Sequence, residues 1–417
     1  MEALAGVGAT GSINFLVLGF CMGVCSGFAI PIAQAFGAKD ETEMRRYVMH
    51  SVYLCAVISV LMGLLTGFFS PQLLRMLNTP EDILPLSVAY IQPVFFAIPV
   101  TVLYNMCGGV MRSLGDSKTP VIAITIAALL NIVLDYTFIL AFHMGVEGAA
   151  WATVISQLIS GLWCLLVIRK RFTILKMQPE DKRIRAPFVR RLLAMGIPFG
   201  LQYSITGIGS VILQTAVNGL GSIYVASMTA GSKINIFLAC PFDALGQTMA
   251  PYAGQNIGAR KLDRVGKGLR AACIIGFIVS GLMVIVVKLF GGQLTMLFLD
   301  EKDPVIMQNS TQFLSIVSAF FCLLTLVNTV RFTIQGMGFS SLAIIAGVME
   351  MIARGIAGML LVPAFGYLGA CYSSPLAWLL ADAFLIPAFF GCLRAREENA
   401  QAVRAMQQAD EAAEQNS

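Results

Sequence analysis

Residues 34–39 read QAFGAK and residues 255–260 read QNIGAR, an interval of 221 residues in a chain of 417. Sliding the sequence by that interval also pairs Ala5 with Ala226, Ala9 with Ala230, Ile13 with Ile234 and Asn14 with Asn235. A two-residue slip then aligns Asn105 with Asn328 and Gly115 with Gly338. The first interval returns at MGVEGAA and FGYLGAC, where Gly145 meets Gly366 and Gly148 meets Gly369. Collinear matches over most of the chain indicate a duplicated unit, a common way of building membrane transporters.

The composition says what the unit is made of. Hydrophobic residues make up 57% and charged residues 12%, against roughly a quarter charged in soluble domains. Apolar stretches longer than about 20 residues recur along the chain, each able to cross a hydrocarbon core of about 30 Å as a helix. About eleven spans are expected, near 3–35, 46–70, 82–111, 120–141, 147–168, 192–219, 222–256, 268–290, 304–334, 341–361 and 367–392. The fold class is therefore an all-α polytopic membrane protein of two homologous helical-bundle lobes. The span at 192–219 has a counterpart only before residue 1, so each full repeat is expected to have six helices and the sequence to start one helix late. One more apolar helix is expected to be encoded upstream. Both repeats run in the same direction, which predicts a pseudo-two-fold axis along the membrane normal and a pathway between the lobes.

The net charge of +5 sits in the loops and reports orientation on an anionic membrane surface, with no nucleic-acid role. The linker RKRFTILKMQPEDKRIRAPFVRR, residues 169–191, carries nine Lys or Arg against Glu180 and Asp181, so it is expected in the cytoplasm. The basic loop from Arg260 to Arg270 and the polar tail from Arg394 then fall inside. Met1 and the loop of Asp300, Glu301, Lys302 and Asp303 fall outside. The expected organisation is an amino-terminal lobe at 1–168, the linker at 169–191, a carboxy-terminal lobe at 192–392 and a frayed or weakly helical cytoplasmic tail at 393–417. The ten cysteines lie in apolar segments with no CxxC. Cys21 and Cys25, one turn apart, suit helix packing better than a disulfide or a metal site, and no metal or cofactor is expected.

EALAGVGATGSI, AIPIAQAFGAKD, LLNIVLDYTFILAFHMGVEGAAWATVIS and PFDALGQTMAPYAGQNIGARKLDR together resemble the multidrug and toxic compound extrusion (MATE) transporters of prokaryotes, over roughly residues 2–392. The repeated Gln-x-x-Gly-Ala turn is the most specific part of the likeness. The resemblance implies two six-helix lobes, alternating access, and expulsion of small organic cations in exchange for protons or sodium. It places the chain in the prokaryotic plasma membrane. The family's first helix is the piece missing here. A monomer is expected, with the lipid bilayer and small organic cations as partners.

An ionisable group in hydrocarbon costs about 2.5–3.5 kcal/mol on insertion scales, so each needs a reason. Asp135 lies about six residues from the outer end of its helix, and Asn131 is one turn away on the same face. Thr153 and Tyr90 reach a similar depth from neighbouring helices. Oxygen ligands converging at one level suit a sodium ion or a carboxylate of raised proton affinity. The MATE resemblance implies the same set as the amino-lobe cation site: Asn131, Asp135, Thr153 and Tyr90. The family's further carboxylate from the first helix is absent. The other reading makes Asp135 a cap or a hydrogen-bonding group between helices.

The second half does not copy this site, because Asn131 aligns with Arg354 and Asp135 with Gly358. Glu350, four residues before Arg354, is expected to form a buried structural pair with it. Lys233 and Asp243 share one span near Pro241, ten residues apart, and each is expected to pair across helices. Asp243 stands equally for coupling or for structure. The 21 Met and 27 Phe suit a promiscuous cavity, or ordinary membrane packing.

Two other classes fit the sequence less well. A membrane-embedded enzyme needs a nucleophile with its base or a metal cluster. His50 and His143 are isolated near opposite membrane ends, and HExxH, GxSxG and Walker A motifs are absent. GDSKTP at 115–120 reads as a helix-breaking turn. A flippase for lipid-linked saccharides shares the exporter fold, but would line its cavity with several Arg or Lys. Secondary antiport of organic cations is the leading reading, with no enzyme activity.

Overall fold

The computed structural model describes residues 7, 10–77, 79–296 and 303–415. In hydrocarbon every backbone N–H and C=O must be satisfied within its own segment, so long apolar runs fold as helices. No strand occurs among the described residues. Among the described residues nine helices are long and apolar enough to cross a membrane, or up to eleven if each of two bent pairs is one span. The chain is a multi-pass helical membrane protein.

Two units divide it, Met1–Gly207 and Ile208–Ser417. The first contains α1 (Gly11–Gly37), α2 (Glu41–Phe68), the short α3 (Ser70–Met76), α4 (Leu84–Phe96), α5 (Ile98–Ser113), α6 (Lys118–Tyr136), α7 (Gly145–Arg171) and the start of α8 (Ala186–Asn218). The second holds the rest of α8, α9 (Ser222–Gly258), α10 (Leu262–Met296), α11 (Pro304–Ala319), α12 (Phe321–Gly336) and α13 (Ser341–Ile356). The short α14 (Val362–Phe365) and α15 (Tyr367–Cys371) follow, then α16 (Ser373–Gln415). A turn of π-helix, Thr137–Ala141 and Ala357–Leu361, extends α6 and α13 respectively.

The duplication is written in the backbone. Asp40 N–H reaches Ala35 O at 3.1 Å and Lys39 N–H reaches Phe36 O at 3.0 Å; in the second unit Lys261 N–H reaches Asn256 O at 2.8 Å and Arg260 N–H reaches Ile257 O at 3.0 Å. Both are Schellman closures of a helix. The left-handed residue in each is the basic one, Lys39 at φ 60° and Arg260 at φ 55°, where glycine is the usual choice. Gly115 and Gly338 close α5 and α12 in the same way, at φ 89° and 96°. The α4–α5 and α11–α12 breaks also correspond, bending by 48° and 52°. The repeat matches at Ala5 and Ala9 lie outside the described residues.

α8 contributes its early part to the first unit and its later part to the second, and glycine packing holds the early part. Gly19, Gly23 and Gly27 recur every fourth residue on α1, and the early part of α8 carries Gly196 and Gly200. A Cβ on Gly23 would lie 2.8 Å from Gly200 Cα, and one on Gly27 2.6 Å from Gly196 Cα. The two backbones therefore touch, as small residues permit in membranes. The later part of α8 packs instead on α13, where a Cβ on Gly209 would lie 3.2 Å from Met351 Cα.

The linker is folded onto the first unit. Leu175 is buried with Ile32, Met44, Val48 and Val110, and Asp181 is 1% exposed. α6 and α10 leave Ile122, Ile126, Leu129 and Ile132, and Ile274, Ile278, Leu282 and Ile285, exposed. Such an apolar face belongs against acyl chains. The polar tail continues α16 past Arg394 to Gln415, and Arg396 Nε donates to Met337 O at 2.9 Å. Asp300, Glu301 and Lys302 lie outside the described residues, while Asp303 caps α11 by accepting from Val305 N–H at 2.8 Å.

Candidate functional site

In the first unit α6 packs on α7, and α4 packs on α7 as well. This brings together the side chains expected from the sequence. Asn131 Nδ2 points at Thr153 Oγ1, 3.5 Å away. Thr153 gives its own hydroxyl proton to Ala149 O at 3.0 Å, which leaves its oxygen free to accept. Asp135 follows one turn after Asn131, and its Oδ1 is buried with no hydrogen-bond partner. Tyr90 of α4 is half-buried, and its hydroxyl lies within electrostatic reach of Asp135. Thus Asn131 and Thr153 touch, while Asp135 and Tyr90 lie within electrostatic reach of one another. Immediately beyond Asp135 the helix widens into its π turn, a distortion that often marks functional positions.

In the second unit Glu350 and Arg354 pair as expected, with Arg354 Nη2 3.4 Å from Glu350 Oε2. Arg331 of α12 completes the group through a direct bond from Nη2 to Glu350 Oε1. The sequence reading missed this role, because 19 residues and a turn separate the partners and no spacing rule joins them. Asp243 accepts from Asn328 Nδ2 at 2.8 Å, a cross-helix bond to an amide.

Lys233 corrects the expectation: it is exposed and joins none of the ion pairs among the described residues. The buried face of α9 runs through Ala230, Gly231, Ile234 and Leu238, and Lys233 lies off it. Asp382 of α16 was overlooked altogether. It is 3% exposed, neither carboxylate oxygen has a hydrogen-bond partner, and Arg331 and Glu350 lie within electrostatic reach. The signal was available, since LLADAFLIP is an acid in an apolar run.

Outside the spans two acids organise the polar ends. Asp181 of the linker accepts from Arg45 Nε at 2.9 Å and from Gln178 N–H at 3.0 Å, with Arg46 Nε at 3.7 Å. Burial pushes its carboxyl up, but the Gln178 bond and the two guanidinium groups outweigh this and hold it below the usual carboxylate range. His50 is a pin for the same linker: its Nε2 accepts from Arg185 N–H at 2.9 Å, and its ring stacks on Phe188.

Asp116 forms the turn read from GDSKTP, accepting from Thr119 Oγ1 at 2.6 Å and from the N–H groups of Thr119 and Lys118. Burial raises that carboxyl, and the Thr119 bonds with the Arg171 charge more than reverse it, leaving it lowered. All ten cysteines are free thiols, although Cys25 and Cys55 bring their Sγ atoms to 3.9 Å. No group of three metal-ligating side chains occurs among the described residues.

Two units with matching breaks and turns, each carrying a carboxylate inside an apolar span, define a duplicated polytopic membrane protein of the transporter kind. The chain belongs to the MatE family, whose pattern matches residues 1–137 and 198–360. It is 28% identical over 312 residues to the probable multidrug resistance protein YoeA of Bacillus subtilis, covering 73% of this chain and 67% of that protein. With the probable multidrug resistance protein YpnP of the same organism it shares 32% over 308 residues, 73% of this chain and 68% of the relative. A solved outward-facing multidrug resistance MATE family transporter of the MOP superfamily is similar in fold, with a TM-score of 0.89 at 22% identity, covering 95% of this chain and 89% of that one.

Proposed function

We propose that this protein exports organic cations from a prokaryotic cell by alternating access, driven by inward flow of protons or sodium. The observation that carries the reading is the Asp135 carboxylate, which has one oxygen buried and unpartnered one turn from the Asn131–Thr153 contact. A carboxylate placed there changes charge when an ion binds, and so can bias which conformation is favoured. The multidrug resistance names of the two Bacillus relatives support a drug-like cargo. The linker and the tail face the cytoplasm in this reading, because the nine cations of the linker resist translocation.

The test is transport of a fluorescent organic cation and, in parallel, an anionic dye by the purified protein in lipid vesicles, with pH and sodium gradients imposed separately. Either gradient should drive the cation and leave the anion in place. Export of the anion alone, or no response to either gradient, overturns the reading.

A further inference from the structure

Asp382 lies within α16, between Ala381 and Ala383, with both carboxylate oxygens buried and unpartnered. α16 packs against α12 and α13, with a lesser contact to α10. The titratable and charged groups of these helices within electrostatic reach of Asp382 are Arg331 of α12, Glu350 of α13 and Cys273 of α10. Arg354 stands behind, held on Glu350 at 3.4 Å. Arg331 uses Nη2 on Glu350, while its Nε is buried with no partner. An acid lacking a donor therefore stands near a donor lacking an acceptor.

We propose that Asp382 is a proton-binding site of the second unit and that Arg331 senses its charge. With the proton bound, the carboxyl is neutral and tolerates a dry site, and Arg331 stays on Glu350. When the proton leaves to water, the bare carboxylate draws the unused edge of the Arg331 guanidinium, whose five donors can serve two acids. The hold on Glu350 then loosens, Arg354 remains as its partner, and the packing of α12 on α13 and α16 is biased toward a second arrangement. The ligand is a proton and not a metal cation, because Asp382 offers only its own two oxygens and the nearby Arg331 charge repels a second cation. The site is independent of Asp135 and of the transport reading.

Infrared spectra of the purified protein in lipid nanodiscs, recorded across pH in light and heavy water, read the stretching band of protonated carboxyls in apolar surroundings. The wild type should show a band that is lost as pH rises and is unchanged by added sodium. Asp382→Asn should lack that component, Asp382→Glu should move it, and Asp135→Asn should keep it. A band unaltered in both Asp382 variants, or one displaced by sodium at constant pH, overturns the proposal. Loss of the band in Asp135→Asn alone also overturns it, by assigning the proton to the first unit.

Discussion

Removing the Asp181 carboxylate should release the linker from the first unit. Asp181 is 1% exposed and Arg45 is 7% exposed, so the pair follows the rules for buried charges, where stranding one partner costs about 3–5 kcal/mol, and not those for surface bridges at about 0–1 kcal/mol. Asp181→Ala also orphans the Gln178 N–H. At about 1.4 kcal/mol per tenfold, the fraction of molecules with an undocked linker should rise by about two to three and a half orders of magnitude. Asp181→Asn keeps an acceptor for one of the two bonds and should cost less, about 2 kcal/mol.

Trypsin reads this directly: Lys176, Lys182, Arg183 and Arg185 are exposed on the docked linker, and undocking frees the backbone around them to enter the protease cleft. The cleavage rate between residues 176 and 190 should rank Ala above Asn above wild type. Equal resistance of Asp181→Ala and wild type would refute the reasoning. The pH dependence has a definite sign. The folded carboxyl lies below its unfolded value of about 3.9, so its contribution is full above that pH and is lost as pH falls through the folded value. Linker protection should therefore be flat from neutrality to about pH 5 and fail only in stronger acid.

Glu350→Gln should lower the yield of folded protein by stranding both Arg331 and Arg354, measured as the monodisperse fraction in detergent; a normal yield would show that the pair is dispensable. Gly27→Leu should separate α1 from α8, because even a Cβ there would meet Gly196 Cα at 2.6 Å, and a thermal midpoint equal to wild type would contradict the backbone contact. Lys39→Gly should stabilise by up to about 1 kcal/mol, since φ is already 60°, and a drop in melting temperature would mean that the lysine side chain matters more than the strain.

How much of this was legible in the sequence depended on how far apart the partners lie. The spans follow from apolar length alone. The duplication was readable because each half must close its helices with the same turns, and Lys39 with Arg260 and Gly115 with Gly338 bear it out in their backbone angles. Glu350 with Arg354 was readable because four residues is one helical turn. The Arg331 bond to Glu350 was not, since only tertiary packing brings α12 to α13. The folded linker was hidden by its own composition: nine cations among 23 residues suggest a solvated loop, and the single buried Asp181 that collects two of the arginines from α2 leaves no periodic trace. The contact of α1 with the early part of α8 left no signal either, because Gly196 and Gly200 look like ordinary small residues until a matching stripe on α1 is set against them.

Coupling is assigned to the carboxylate beside Asn131 and Thr153, and Asp135→Asn tests that assignment without a change of shape, because the amide keeps size and hydrogen-bonding capacity while the titratable charge is lost. Wild type and variant, matched for folded amount in lipid vesicles, are compared for gradient-driven efflux of a fluorescent cation. Loss of gradient-driven efflux with unaltered insertion is the predicted result; transport at the wild-type rate would contradict the site and pass the coupling role to Asp243.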